Sequence, residues 1–75
     1  MSNGYANEQT YNVALWILND EGLYNFAKTF RNRPKPYAEL KDNLREVGTT
    51  ETPDKVSYND SSLDEEELNQ VIREL

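Results

Sequence analysis

The chain has no cysteine and no histidine among its 75 residues. Without cysteine there is no disulfide staple, and without either residue the common zinc sites are excluded. Cys–His and Ser–His nucleophile pairs also require an imidazole that is not there. No run approaches the roughly 18 consecutive apolar residues of a membrane span, so no membrane partner is expected. The opening Met1-Ser2-Asn3-Gly4 carries no basic n-region, so no secretory signal is expected either. Neither G-x-x-x-x-G-K-S/T nor G-x-G-x-x-G occurs, so no phosphate-cradling loop is encoded and no cofactor is expected. The lack of cysteine fits a cytoplasmic location.

Apolar side chains are scarce as well, at 36% of the chain beside a net charge of −6. Read alone, that pairing points toward partial disorder. The aromatics point the other way. One Trp, five Tyr and two Phe are large packing residues, and all but Tyr58 precede residue 38. A small aromatic-rich core with a more polar C-terminal part leaning on it is the expectation. A chain of this length holds one small domain, whose core supplies only about 3–5 kcal/mol.

Residues 1–6 read as a loose tail and residues 7–48 as a helical core. The nearly continuous run from Tyr11 to Leu18 fits a buried strand or a short buried helix. Asn7 as N-cap, Glu8 in the first turn, and Val13, Trp16 and Ile17 at i, i+3, i+4 favour the helix. Asn19-Asp20-Glu21-Gly22 then offers a break and a fresh cap, unless the two segments merge into one kinked helix. Leu23, Phe26, Ala27 and Phe30 form the next apolar stripe. Asn32-Arg33-Pro34-Lys35-Pro36 stops it, and Pro36 suits the first position of a third helix. That helix carries Tyr37, Leu40, Leu44 and Val47 on one stripe and ends at Gly48.

Residues 49–61 have the composition of an acidic linker, with Pro53-Asp54 as a turn and Val56 and Tyr58 alternating with polar residues. Residues 62–75 predict a final helix. Ser62 through Glu65 match a capping box, and Leu68, Ile72 and Leu75 repeat at i, i+4, i+7 with Val71 beside them. The expected fold is all-α, a small bundle of three to four short helices.

Charge is segregated along the chain. Lys28, Arg31, Arg33 and Lys35 fall within residues 28–35 with no acid among them, whereas residues 46–75 carry nine acids against Lys55 and Arg73. The basic cluster is a solvated helix end favoured by the macrodipole, or a phosphate contact. In the second case the helices on either side act as a helix-turn-helix regulator, although the connection is longer than the usual turn. The overall negative charge opposes general binding to a polyanion, so direct nucleic-acid binding is not expected.

The acidic run is likewise either a soluble helix face or a surface for a partner. In the partner reading Asp60, Asp64, Glu65, Glu66 and Glu67 engage a basic, nucleic-acid-binding surface of a protein, with Tyr58 as an apolar anchor. No D-x-D-x-D-G loop surrounds Asp54, Asp60 or Asp64, so a calcium site is not expected. Exposed carboxylates of ordinary acidity make poor general acids near neutral pH, and no enzyme activity is expected. Five tyrosines exceed what so small a core can hide, which favours a protein partner or a homodimer.

Tyr11 through Tyr24 (YNVALWILNDEGLY), together with Thr52-Pro53-Asp54-Lys55-Val56-Ser57-Tyr58, Leu63-Asp64 and Glu67-Leu68, resemble an uncharacterised family of small acidic proteins associated with bacteriophages and mobile elements. Members of that family tend to have glycine where Lys55 stands. The resemblance implies no catalytic or binding residues. It implies a context, that of phage accessory proteins, among them inhibitors of host defence. The leading expectation is therefore a non-catalytic inhibitor of a nucleic-acid-targeting defence complex, of the anti-CRISPR or anti-restriction type, acting in the host cytoplasm. The alternatives are the nucleic-acid-binding regulator and a virion assembly or structural protein.

Overall fold

Asn7 starts the first helix, α1 (Glu8–Asn19), by accepting the Thr10 N–H at 2.8 Å and the Thr10 hydroxyl at 2.7 Å. In the computed structural model, which describes residues 4–75, the run from Tyr11 to Leu18 is helical because its buried positions recur with helical period. Thr10, Val13, Ala14 and Ile17 face inward, while Leu18 is 46% exposed. A strand would have buried alternate residues instead.

Asp20 separates α1 from α2 (Glu21–Lys28) by a single extended residue. Its backbone N–H closes α1 onto the Trp16 carbonyl at 3.0 Å, and its carboxylate opens α2 by accepting the Leu23 N–H at 2.9 Å. The two helices are thus distinct. The loose tail expected over residues 1–6 has three residues outside the described ones. Beyond these, Tyr5 lies tilted against Tyr11 at 5.9 Å and Ala6 donates its N–H to Glu67.

The third helix, α3 (Pro36–Glu46), begins at the proline as expected. Lys35 provides no side-chain cap, so the Tyr37 N–H is satisfied from a distance by the buried Asn69 side chain at 2.8 Å. Gly48, at φ +84°, reverses the chain. The Thr49 and Gly48 N–H groups then return to the Leu44 and Arg45 carbonyls, a Schellman ending. Val47 sits at that C-cap and is 72% exposed, so it leaves the apolar stripe expected to hold it. The residue where the helix stops no longer follows the helical period.

Thr50 to Tyr58 form a miniature hairpin rather than a plain linker. Glu51 and Ser57 make one antiparallel bridge, flanked by the Thr52 N–H on the Val56 carbonyl and the Tyr58 N–H on the Thr50 carbonyl. The loop is a turn on Pro53-Asp54 closed by Lys55 N–H to Thr52 O, with Lys55 in the left-handed region at φ +69°. A three-residue hairpin loop asks for glycine there. Lys55→Gly is therefore expected to raise stability by roughly 0.5–1 kcal/mol. A thermal melt checks it, and an unchanged or lower midpoint contradicts strain at this residue.

The last helix, α4 (Glu65–Arg73), begins three residues later than the sequence pattern indicates. Its cap is Asp64, which accepts the Glu67 N–H at 3.1 Å. Ser62 cannot complete its expected box, because Asp60 takes both its N–H and its hydroxyl. All four helices share one core, and the fold is all-α apart from the isolated bridge. Val13, Ile17, Leu40, Leu68 and Ile72 are wholly buried, with Tyr37 the largest side chain among the fully enclosed ones. The core is aliphatic with two tyrosines, not aromatic-rich. Phe26 and Phe30 pack half-buried against it, and Tyr11 and Trp16 are half-buried too. The C-terminal part supplies Tyr58, Leu63, Leu68 and Ile72, so it completes the core instead of leaning on it.

Candidate functional site

The helices α1 and α4 start side by side, and a short relay holds them there. The Asp64 N–H donates to the Thr10 hydroxyl at 2.9 Å, and that hydroxyl donates to Asn7. The Asn7 side-chain amide donates to the Ser62 carbonyl, and the Ala6 N–H reaches Glu67 at 2.8 Å. Two helix N-termini, each the positive end of a macrodipole, thus meet at one pole. The acids Glu8, Asp64, Glu65, Glu66 and Glu67 fall in their caps and first turns.

Four of the five acids expected at a partner surface also have local duties. Asp64 caps α4, and Glu67 anchors the N-terminal segment. Glu65 pairs with Lys41 at 2.6 Å. Asp60, one turn before the helix, has its pKa lowered by the Ser62 hydroxyl and then the Ser62 backbone N–H. Glu66 is the freest, its side chain 81% exposed with Arg73 at 3.6 Å. The structure brings Asp64 to Glu67 together on the same turn. It does not place Tyr58 among them as an exposed anchor, because Tyr58 is only 3% exposed and its carbonyl accepts the Tyr37 hydroxyl at 2.8 Å.

The basic cluster lies at the opposite end of α4. Arg31 donates to the Leu75 carbonyl and Arg73 to the Pro34 carbonyl, each at 3.0 Å. Arg33 pairs with Glu39 at 2.9 Å, and the hydrogen bond to that carboxylate, reinforced by its charge, raises the guanidinium pKa. Lys28 and Lys35 are exposed. Two of the four expected phosphate contacts are therefore spent on fastening the connection between α2 and α3. The face of α3 carrying Tyr37, Leu40 and Leu44 is buried rather than free to enter a groove of DNA.

A polar cluster that sequence reasoning missed joins the hairpin to α1. The Asp54 carboxylate accepts from the Asn12 amide at 2.8 Å and from the Trp16 indole N–H at 2.9 Å. Those two bonds, Asn12 first, hold the Asp54 pKa below the usual range. The Thr52 hydroxyl donates to Asn12 and accepts from the backbone of Asp54 and Val56. Locally, Thr52-Pro53-Asp54 is only a turn signal. Partners 38 to 42 residues away leave no mark in it.

Fixing the indole in this way builds one wall of an open groove of about 630 Å³. Trp16, Leu23 and Phe26 line it from α1 and α2, Leu44 from α3 and Val47 from the C-cap of α3. Asp20, Glu51 and Lys55 are its charged residues. Tyr58 also lines it, and burial followed by the Asp20 charge raises the phenol pKa. The uncovered stripe of α2 explains the groove: of its apolar residues only Ala27 is fully enclosed.

Among the described residues no group of three or more acidic side chains is arranged to hold a metal ion. Among them, too, no helix is long and apolar enough to cross a membrane. Neither a curated protein nor a solved structure matches the chain. A family does match, over residues 1–75, and the chain belongs to it: the family of unknown function DUF7249.

Proposed function

We propose that this is a non-catalytic interaction protein whose acidic pole occupies a basic, nucleic-acid-binding surface of a protein partner. The observation that supports this reading is the pairing of two helix N-termini, which gathers Glu8, Asp64, Glu65, Glu66 and Glu67 with Lys41 as the cation bonded among them. Asp64, Glu65 and Glu67 are preorganised by their intramolecular bonds. An ionised carboxylate has about four lone-pair sites, so a cap or backbone contact leaves acceptors for an incoming arginine or lysine. The resemblance to phage-associated proteins makes a host nucleic-acid-targeting defence complex, of the CRISPR or restriction type, the proposed partner, met in the host cytoplasm. The regulator reading has less support, because Arg31 and Arg33 are already engaged within the chain.

Because most of these acids also hold the fold, reversing their charge would confound binding with unfolding. Amide replacement separates the two. The combined Asp60→Asn, Asp64→Asn, Glu65→Gln, Glu66→Gln and Glu67→Gln variant removes five charges yet leaves each side chain one acceptor oxygen for its internal bond, and Asn caps a helix as well as Asp does. In cells whose defence system targets a test phage, the wild type is expected to restore plaque formation. The amide variant is expected to leave it at the level of cells without the protein, with helicity unchanged. Full restoration by the amide variant would sink the acidic-pole reading.

A further inference from the structure

The groove beside α2 has a polar group in its lining that no described residue satisfies. Tyr58 is 97% enclosed, as its 3% exposure shows, and its hydroxyl has no hydrogen-bond partner among the described residues. No fully enclosed side-chain oxygen is left unbonded among the described residues, so the hydroxyl keeps some exposure, and Tyr58 lines the groove. Asp20 stands close enough for its charge to act on that phenol. A carboxylate and a hydroxyl oxygen on the lining of one groove, each able to accept, match a cationic N–H donor.

The walls around this pair are apolar, with Leu23, Phe26 and Val47 incompletely covered. The volume of about 630 Å³ lies within the range of ligand sites. Trp16 is already oriented by its bond to Asp54, so little ordering is lost when a guest arrives. Two carboxylates, Asp20 and Glu51, face one ammonium, Lys55, and the chain as a whole carries −6. We infer that the groove docks a short cationic segment of a protein partner, one that inserts bulky apolar side chains against Trp16, Phe26 and Val47 and sets an adjacent lysine or arginine on Asp20 and the Tyr58 hydroxyl. The residues are different from those of the acidic pole, so the amide variant described above retains this binding, and either idea can fail without the other.

Trp16 is the only tryptophan in the chain and lines the groove, so its emission reports occupancy directly. The probe is an acetylated, amidated hexapeptide, Gly-Lys-Leu-Phe-Arg-Gly. Two controls accompany it, Gly-Glu-Leu-Phe-Glu-Gly and Gly-Lys-Ala-Ala-Arg-Gly. The cationic apolar peptide is expected to shift the emission saturably, with both controls at least roughly tenfold weaker. Val47→Lys, which replaces an apolar contact by a like charge at an exposed position, and Asp20→Asn, which keeps the helix cap, are each expected to weaken the first peptide several-fold. Tyr58→Phe is expected to weaken the cationic peptide while leaving the acidic control unchanged. The proposal is overturned by the absence of a saturable shift up to millimolar peptide, by equal binding of the acidic control, or by Val47→Lys and Asp20→Asn variants that bind like the wild type. It is also overturned if the emission changes with protein concentration alone while sedimentation shows a dimer, since a second copy would then be the occupant.

Discussion

Tyr37→Ala is expected to leave the chain largely unfolded at room temperature. Tyr37 is the largest of the fully enclosed side chains. Truncating a buried aromatic costs about 3–5 kcal/mol, which equals the whole stability a domain of this size commands. Tyr37→Phe isolates the hydroxyl. It removes the 2.8 Å bond to the Tyr58 carbonyl and leaves that buried acceptor unmet, at a cost of about 1–2 kcal/mol. The same residue ties stability to alkaline pH. Burial, then the charge of Glu65 and the neighbouring Tyr58, hold the Tyr37 phenol far above its ordinary value. An acid whose folded pKa is raised keeps its proton in the native state after the unfolded chain has lost it. Its contribution is therefore complete below the unfolded value of about 10 and declines as pH rises beyond it. Tyr58, also raised, adds in the same direction. Urea midpoints measured on both sides of that pH should fall steeply for the wild type and less steeply for Tyr37→Phe. Equal slopes would contradict the burial of this phenol.

Asn69→Leu is the second large effect, expected to cost about 1–3 kcal/mol although leucine is apolar and similar in size. Helix α3 has no cap of its own, and Asn69 from α4 supplies the acceptor for the Tyr37 N–H. Leucine leaves that donor enclosed and unpaired. Asn69→Asp keeps an acceptor at the positive end of a helix and should cost much less, so the two variants bracket the role of the carbonyl oxygen. Chemical denaturation of both, compared with the wild type, measures the difference. A leucine variant as stable as the wild type would show that water replaces Asn69 there.

The features legible in the sequence are those decided within one helical turn. Asn7, Asp20, Pro36 and Gly48 each mark the boundary they predict, because capping concerns a side chain and a backbone group three or four positions apart. The boundary at α4 is different in kind. Ser62 and Asp64 are both good caps, and the choice between them falls to Thr10, which takes the Asp64 N–H, and to Asp60, which takes Ser62. Val47 continues an apolar period on paper, but the helix has already ended there. The core differs from the expected aromatic one for a related reason. Aromatic side chains count as bulk in a composition, yet helical geometry puts Trp16 and Phe26 on the flanks of their stripes.

For the candidate site, the acids of α4 are readable as a run, but their neighbour Glu8 and the hydrogen bond from Ala6 join them through contacts spanning 54 to 61 positions. The groove is less legible still. It exists because Leu23 and Phe26 form an apolar stripe that is left partly uncovered, and because the hairpin is pinned to α1 through Asp54. Lys55 is a local matter: its left-handed backbone stands at the loop position where a three-residue hairpin favours glycine.

The central claim is that carboxylates at the paired N-termini of α1 and α4 take the place of nucleic-acid phosphates on a partner. Once the tagged chain has captured its partner from host cells, competition tests that claim most directly. Labelled DNA or RNA bound to the purified partner is titrated with the wild type and with the fivefold amide variant, following anisotropy. The wild type should displace the nucleic acid, and the amide variant should do so only at far higher concentration. Displacement by both at the same midpoint, or a partner that holds wild type and nucleic acid together, would contradict it.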